Sequence, residues 1–148
     1  MTGHTGLYYN TLVSQLAAPA VRTAAANSAS LDLANFDSAS LIFDVGTPGD
    51  TLSGTVRLEL QVQESADNAT WTAVADTDLT KTVTGGVATG TVAVISASGG
   101  AAGVYYTGYK GNLRYIRGVL NYVGTHTTGT PSSVTGLAGR PRLAPVNA

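Results

Sequence analysis

The side chains best suited to metal chemistry are two histidines, His4 and His126, and two closely spaced acids, Asp76 and Asp78. Zinc sites combine several histidine, cysteine or carboxylate ligands at short spacings, and neither histidine has a second ligand beside it. The two aspartates would share one face of a strand, but calcium takes about six to eight oxygen ligands, more than this segment offers. We therefore predict no metal site and no cofactor.

Motifs for nucleophilic catalysis or phosphate binding are also missing from the sequence. It contains no cysteine, so neither a thiolate nucleophile nor a disulfide is available. No Gly-x-Ser-x-Gly, phosphate-binding loop or Gly-x-Gly-x-x-Gly occurs. The sequence thus predicts a protein that is not an enzyme and folds in a reducing cytoplasm. It shows no basic leader and no apolar run of about 18 residues, so we expect neither export nor membrane insertion.

Seven tyrosines dominate the aromatic content, beside one tryptophan and two phenylalanines. Tyrosine suits interfaces because it buries a large flat ring while its hydroxyl stays hydrogen-bonded. Tyr106 and Tyr109, close to two basic residues, could instead stack on sugar rings, which leaves a carbohydrate-binding module as an alternative. Trp71 and Tyr122 are predicted to fill the core.

Charged residues make up only 11% of the chain, against roughly 25% in typical soluble domains. A surface with so few charges is weakly protected against self-association. This composition favours a protein that works inside an assembly. The alternative is a small soluble sandwich coated with threonine and serine.

The charges are divided unevenly along the chain. Residues 1–78 hold all nine acidic residues and two arginines, whereas residues 79–148 hold six basic residues and no acid. Either acidic and basic strands pair within one domain, or oppositely charged faces attract neighbouring copies or an acidic partner. The six bases form no cluster and accompany no stacking-aromatic motif, so the sequence does not predict a nucleic-acid site.

The elements that must position these side chains are strands. Apolar and polar side chains alternate over residues 56–63, the period of a strand with one buried and one exposed face. Residues 65–69 favour a turn, and residues 70–75 form the returning strand. Gly85-Gly86 suits a second hairpin turn. Further strands are predicted at residues 40–45, 76–84, 87–95, 104–109, 113–123 and 132–137. The pattern predicts an all-β fold, a single antiparallel β-sandwich that is jelly-roll-like and has about seven to nine strands.

The two ends of the chain carry weaker strand signals. Residues 1–36 are predicted to form an extended N-terminal arm and first strand, and residues 37–148 to form the sandwich domain. From about residue 139 we expect an extended C-terminal tail, because Pro141 and Pro145 each lack the N–H that a central strand donates. The N-terminal arm can lie across a neighbouring subunit or be a disordered tail. The C-terminal tail can add to the surface of a partner or lie across its own domain.

A set of motifs runs through nearly the whole chain. It includes Leu31-Asp-Leu33, Gly54-Thr-Val-Arg-Leu-Glu-Leu-Gln-Val-Gln-Glu-Ser65, Trp71-Thr-Ala-Val74, Tyr106-Thr-Gly-Tyr-Lys-Gly111, Arg114-Tyr-Ile-Arg117 and Gly139-Arg-Pro-Arg142. These motifs resemble small proteins encoded beside the major capsid gene of tailed bacteriophages and gene transfer agents. The resemblance implies a β-sandwich accessory protein of the phage head, either a capsid decoration protein or the base of a surface spike. It brings no catalytic residues.

These inferences predict a structural virion protein that binds the outside of a phage capsid and stabilises it, or supports surface spikes. Its partners would be the major capsid protein and neighbouring copies of itself in a homo-oligomer, with neither nucleic acid nor membrane involved. It would be made in the host cytoplasm and reside on the capsid surface. The predicted contact residues are Leu7, Tyr8, Tyr9, Leu12, Arg140, Arg142 and Leu143. The alternative, a carbohydrate-binding jelly-roll module for attachment to a cell surface, would use Tyr106 and Tyr109.

Overall fold

The computed structural model describes residues 6–83, 87–143 and 145–146 of the chain. Its strands are β1 (Thr11–Arg22), β2 (Ala26–Asn27), β3 (Leu31–Asp32), β4 (Phe36–Val45), β5 (Arg57–Ser65), β6 (Thr72–Ala73), β7 (Thr91–Ile95), β8 (Gly103–Tyr109), β9 (Tyr115–Val123) and β10 (Thr130–Pro141). Its helices are α1 (Gly6–Tyr9) and a 3₁₀ helix (Asp76–Asp78). Neither helix is long or apolar enough to cross a membrane, and the described residues contain no other candidate. The predicted all-β antiparallel class is confirmed.

The strands form two antiparallel sheets. Sheet A has the order β1-β10-β4-β8, and sheet B has the order β2-β9-β5-β6, with β3 also paired to β9 and β7 to β5. The first and last long strands are therefore neighbours, and Val13 of β1 lies opposite Leu137 of β10. β10 also pairs with β4, which places Val134 opposite Phe43.

The hydrophobic core lies between the inner sides of the two sheets. Leu58, Leu60 and Val62 of β5 are at most 1% exposed, as the alternation in the sequence predicts. The sheets approach closely at Gly118 of β9, where a Cβ atom would lie 2.9 Å from the ring of Phe43. Glycine is needed at this position because any side chain would push the sheets apart.

The hairpin between β5 and β6 confirms the predicted turn chemistry. Asp67 Oδ1 accepts hydrogen bonds from the backbone N–H groups of Ala69 and Thr70, at 2.9 and 2.8 Å. Asn68 has a φ of 60°, in the left-handed region that asparagine tolerates. The backbone bonds hold the pKa of the Asp67 carboxyl well below its usual range.

The N-terminal segment differs from the predicted arm. Thr11–Arg22 forms β1, a strand of sheet A, because Leu12 and Leu16 pack against the core while Val13 between them is exposed. Residue 36 is therefore not a boundary between an arm and a domain, since β1 and β4 on either side of it belong to the same sheet.

The C-terminal tail also begins later than predicted. Gly139 of β10 lies between Thr11 of β1 and Ser38 of β4, in the middle of sheet A. Pro141 is tolerated at the end of β10 because the pairing with β1 stops at Gly139, opposite Thr11. Beyond that point Pro141 has only β4 beside it, at Phe36.

The predicted strand over residues 76–84 does not form. Asp76–Asp78 is a 3₁₀ helix, and the side chain of Asp76 accepts the backbone N–H of Gly90 at 2.9 Å. This side-chain bond competes with a strand ladder. The next strand, β7, begins at Thr91 rather than at residue 87, and Gly85-Gly86 lies outside the described residues.

Candidate interaction surface

The two ends of the described chain meet at one end of sheet A. The backbone N–H of Val146 donates to the carbonyl oxygen of Tyr9 at 2.9 Å. Leu7 and Leu143 are 76% and 80% exposed, and Tyr8 lies between Leu7 and Tyr9 on α1 with its ring also largely exposed. We call Leu7, Tyr8, Tyr9 and Leu143 the terminal cluster. Four of the predicted contact residues thus belong to segments that the fold brings to the same place.

The other three predicted contact residues have different surroundings. Leu12 is half-buried and packs against the core. Arg142 donates from Nε to Asp37 Oδ1 at 2.9 Å, so its guanidinium is engaged within its own chain. Arg140 is exposed and has a φ of 52°. Of these three, Arg140 is the one placed to contact a partner, and that role stays a prediction.

The two tyrosines of the carbohydrate alternative lie on opposite sides of β8. Tyr106 faces outward and is 60% exposed, whereas Tyr109 faces the other sheet. The hydroxyl of Tyr109 donates to the carboxylate of Glu64 at 2.5 Å and accepts the backbone N–H of Leu113 at 3.0 Å. Burial, and then the bond to Glu64, raises the pKa of Tyr109. The two rings cannot form one stacking platform for a sugar.

The outer side of sheet A, which we call face A, is formed by residues that alternate with the buried ones. Its members are Val13, Gln15 and Val21 of β1, Pro131, Ser133, Thr135 and Leu137 of β10, Ser40, Ile42 and Asp44 of β4, and Val104 and Tyr106 of β8. Val13, Val21, Val104 and Tyr106 are each at least 60% exposed. Asp44 is the only charged member. The exposed apolar side chains lie on the two outer strands, β1 and β8, and a sheet surface that carries them is a candidate site of protein contact.

The outer side of sheet B, face B, is polar, and its side chains bind one another. Its members are Arg57, Glu59, Gln61 and Gln63 of β5, and Arg117, Val119 and Asn121 of β9. Glu59 is only 4% exposed. Its carboxylate accepts hydrogen bonds from Arg57 at 2.8 Å, Asn121 at 3.1 Å and Gln61 at 3.4 Å. The buried charge is therefore compensated within the chain.

Trp71 belongs to face B, so its predicted place in the core is wrong. The guanidinium of Arg117 lies 4.3 Å from the centroid of the Trp71 ring, and it also donates to Gln63 Oε1 at 2.7 and 2.9 Å. Val74, three residues further on, is the buried side chain of this segment. Tyr122 is confirmed as a core residue, since it is 8% exposed.

Two exposed ion pairs join the acidic first part of the sequence to the basic second part. Arg114 binds Asp32 at 2.7 and 2.9 Å, and Arg142 binds Asp37 at 2.9 Å. These contacts support the explanation that the divided charges pair within one domain. Exposed pairs of this kind contribute only about 0–1 kcal/mol each to stability.

The same two ion pairs flank a cleft of about 400 Å³. Its walls are formed by residues 33–39 and 109–114 together with Arg142. Tyr109 reaches into it, but the Tyr109 hydroxyl is already bonded to Glu64 and to the backbone of Leu113. The Tyr109 hydroxyl is therefore engaged within its own chain.

His126 lies in a loop that is held in place by hydrogen bonds to Asp50. The Asp50 carboxylate accepts the backbone N–H groups of Thr127, Thr128 and Gly129 at 2.7–3.0 Å, and these bonds hold its pKa well below its usual range. His126 is buried beside it, with Nδ1 3.7 Å from the Asp50 carboxylate. Across the described ranges, no group of three or more His, Cys, Asp or Glu residues could hold a metal ion. His4 lies outside those ranges.

Comparison with known proteins gives similarities of fold at low identity. No protein-family model and no curated protein matches the chain. The crystal structure of the SPBc2 prophage-derived protein YomS is similar over 88% of this chain and 94% of that one, with 15% identity and a TM-score of 0.48. A structure of infectious bursal disease virus, Gx strain, is similar over 86% of this chain and 39% of the viral chain, with 18% identity and a TM-score of 0.26. Similarities at this level assign no function to the chain.

Proposed function

We propose that this chain is a non-enzymatic structural protein of a phage particle that docks on the outside of the capsid. The observation that carries the proposal is face A, a sheet surface with exposed apolar side chains and a single charge. Such a surface gains free energy when a partner removes it from water, at about 25 cal/mol per Å² of apolar area. The sequence motifs resemble those of phage head accessory proteins, and this resemblance is the reason for proposing a phage capsid as the particle.

The terminal cluster enlarges this docking surface. Its side chains are exposed, and α1 leads directly into β1, an outer strand of sheet A. A contact of about 800 Å² per partner is standard for a specific interface. A capsid repeats that contact in every symmetry-related copy, so a modest contact per copy stabilises the whole shell. Neighbouring copies of the chain and the major capsid protein are the proposed partners.

The test uses capsids of the phage concerned, assembled without this protein, and measures co-sedimentation of the added full-length chain. We expect Leu7→Glu, Leu143→Glu and Ile42→Glu to weaken binding, because each places a charge in the proposed contact surface. Ala73→Glu is the control, since Ala73 is an exposed residue of sheet B at the other side of the sandwich. If all four variants bind like the unchanged protein, or if Ala73→Glu alone weakens binding, the proposed docking surface is wrong.

A further inference from the structure

We infer that two copies of this chain pair edge to edge through β1, which joins their A sheets into one continuous sheet. The inference specifies the contact between copies in the proposed function, and it rests on that function only for its place on a capsid. The pairing itself is argued from the length, the coverage and the charge of the strands at the edges of the two sheets.

The two edge strands of sheet A, β8 and β1, differ in how far other residues cover them. Along β8, the backbone N–H of Thr80 donates to the carbonyl oxygen of Gly108 at 2.9 Å, and that of Lys81 donates to Thr107 Oγ1 at 3.1 Å. Residues 79–81 therefore cover part of that edge. β1 has 12 residues and, in the described part of the chain, pairs with no strand other than β10. Beyond Gln15 its edge is partly covered, because the carbonyl oxygen of Leu16 accepts the backbone N–H of Ala29 at 2.9 Å and that of Ala18 accepts Arg22 Nη2 at 2.8 Å.

The edges of sheet B are short by comparison. β2, β3 and β6 have two residues each, and β7 has five. Short edge strands limit pairing with other chains, because they offer few backbone groups in register. In β7, the carbonyl oxygen of Thr91 already accepts the backbone N–H of Val83 at 2.8 Å, so this edge is covered in part. Among the edges of the described residues, β1 therefore offers the longest strand.

β1 lacks the charged side chains that usually protect an edge strand. It carries none before Arg22, its last residue. Its second half is protected in other ways, because it contains Pro19, and the pairing with β10 shifts register between Gln15 and Ala17 and again between Ala17 and Ala20. Residues 12–15 are regular and uncharged, so they are the segment open to pairing.

A second copy of the same segment is the occupant that this edge fits best. Backbone groups of an edge strand are matched by another strand, and a two-fold axis perpendicular to the sheet pairs identical strands antiparallel. With no charge in residues 12–15, the pairing brings no like charges together, and Val13 from each copy can form a favourable cross-strand contact. This symmetry also leaves both copies of face A on the same side of the joined sheet.

The test measures the mass of the purified full-length chain by size-exclusion chromatography with light scattering. We expect twice the 15.0 kDa of one chain. Val13→Lys should raise the dissociation constant roughly tenfold or more, because it sets like charges opposite each other. Val104→Lys is the matched control, since Val104 is 60% exposed on the same face and Val13 is 63% exposed.

A charge-swap experiment separates loss of pairing from loss of folding. Val13→Lys and Val13→Glu should each be monomeric, and an equal mixture of the two should recover the dimer mass. The inference is overturned if the unchanged chain is monomeric, if Val104→Lys has the same effect as Val13→Lys, or if the mixture stays monomeric. A chain that is monomeric in solution but gains hydrogen-exchange protection at residues 12–15 on capsids would overturn it in favour of a capsid strand as the partner. A dimer that does not bind capsids would overturn the proposed function and leave this inference standing.

Discussion

Face A and face B are both the outer sides of antiparallel sheets, yet their side chains are satisfied in opposite ways. On face B, the carboxylate of Glu59 is bound by Arg57, Asn121 and Gln61, and Arg117 lies over Trp71. On face A, Val13 and Val104 point into solvent at 63% and 60% exposure. The side chains of face B bind one another, whereas the apolar side chains of face A remain exposed.

The few charged residues of the chain are divided unequally between the two faces. Only 11% of the residues are charged, and face B holds three of them against one on face A. A chain with evenly scattered charges would have no face that a partner could cover cheaply, because each buried charge must be compensated. Because face A holds fewer charges than face B, a partner could cover face A at the lower desolvation cost.

The largest effect should come from the core that both faces share. Phe43→Ala removes a fully buried ring that contacts Gly118 across the sheets, and we expect the free energy of unfolding to fall by about 3–5 kcal/mol. Chemical unfolding should be followed by circular dichroism and by the fluorescence of Trp71. The two transitions should coincide, because the sheets share one core. Separate transitions would mean that the two faces belong to independently stable units.

A smaller effect should distinguish the two faces directly. Glu59→Ala leaves Arg57 and Asn121 without their acceptor, and we expect a loss of about 2–4 kcal/mol in unfolding free energy. Asp44→Ala on face A removes an exposed carboxylate and should change stability by no more than about 0.5 kcal/mol. Equal losses in urea unfolding would contradict the contrast between the faces.

Acid sensitivity should come from the two loops that Asp50 and Asp67 hold. The pKa values of Asp50 and Asp67 are held well below 3.8 by backbone N–H bonds. A carboxyl with a lowered folded-state pKa contributes stability that is complete above pH 3.8 and is lost as the pH falls below that value toward the folded-state pKa. Unfolding free energy measured across this range should therefore fall with decreasing pH. Asp50→Asn should reduce the slope of unfolding free energy against pH, because it removes one of the two carboxyls with a lowered pKa.

The smallest expected effect is an absence of change. Trp71 is the single tryptophan of the chain and reports on face B. If the protein docks through face A, quenching of Trp71 by acrylamide should be the same for the free chain and for the capsid-bound chain. Capsids assembled from a tryptophan-free form of the shell protein would make the quenching of Trp71 measurable, because the shell would then add no tryptophan fluorescence. A strong loss of quenching on binding would place the contact on face B.

The sequence predicts much of the fold because alternation of apolar and polar residues reports local burial. β5 and its turn follow from residues 56–69 alone, and β8 and β9 are predicted within two residues of their observed bounds, whereas β4 begins four residues earlier than predicted. β1 is missed because residues 17–20 are small and contain Pro19, so the alternation is lost at the register shifts. Its place beside β10 depends on residues more than a hundred positions away, which no local pattern encodes.

The surface is harder to predict than the strands for a related reason. Tyrosine near basic residues suggested a sugar site, but the spacing of Tyr106 and Tyr109 on a strand puts them on opposite sides. The sequence analysis predicts Trp71 in the core, but polar residues flank it and Val74 takes the inward position. Face A exists only once four distant segments are side by side. No single stretch of the sequence contains it.

The position of β10 between β1 and β4 has a consequence for synthesis. Until β10 leaves the ribosome, sheet A consists of separate pieces, with β1 unpaired on one side of the gap and β4 on the other. Contacts between residues so far apart in the chain form late. Nascent chains that have not reached β10 would therefore expose unpaired apolar strands that chaperones or proteases can recognise, and face A would form only after β10 is made.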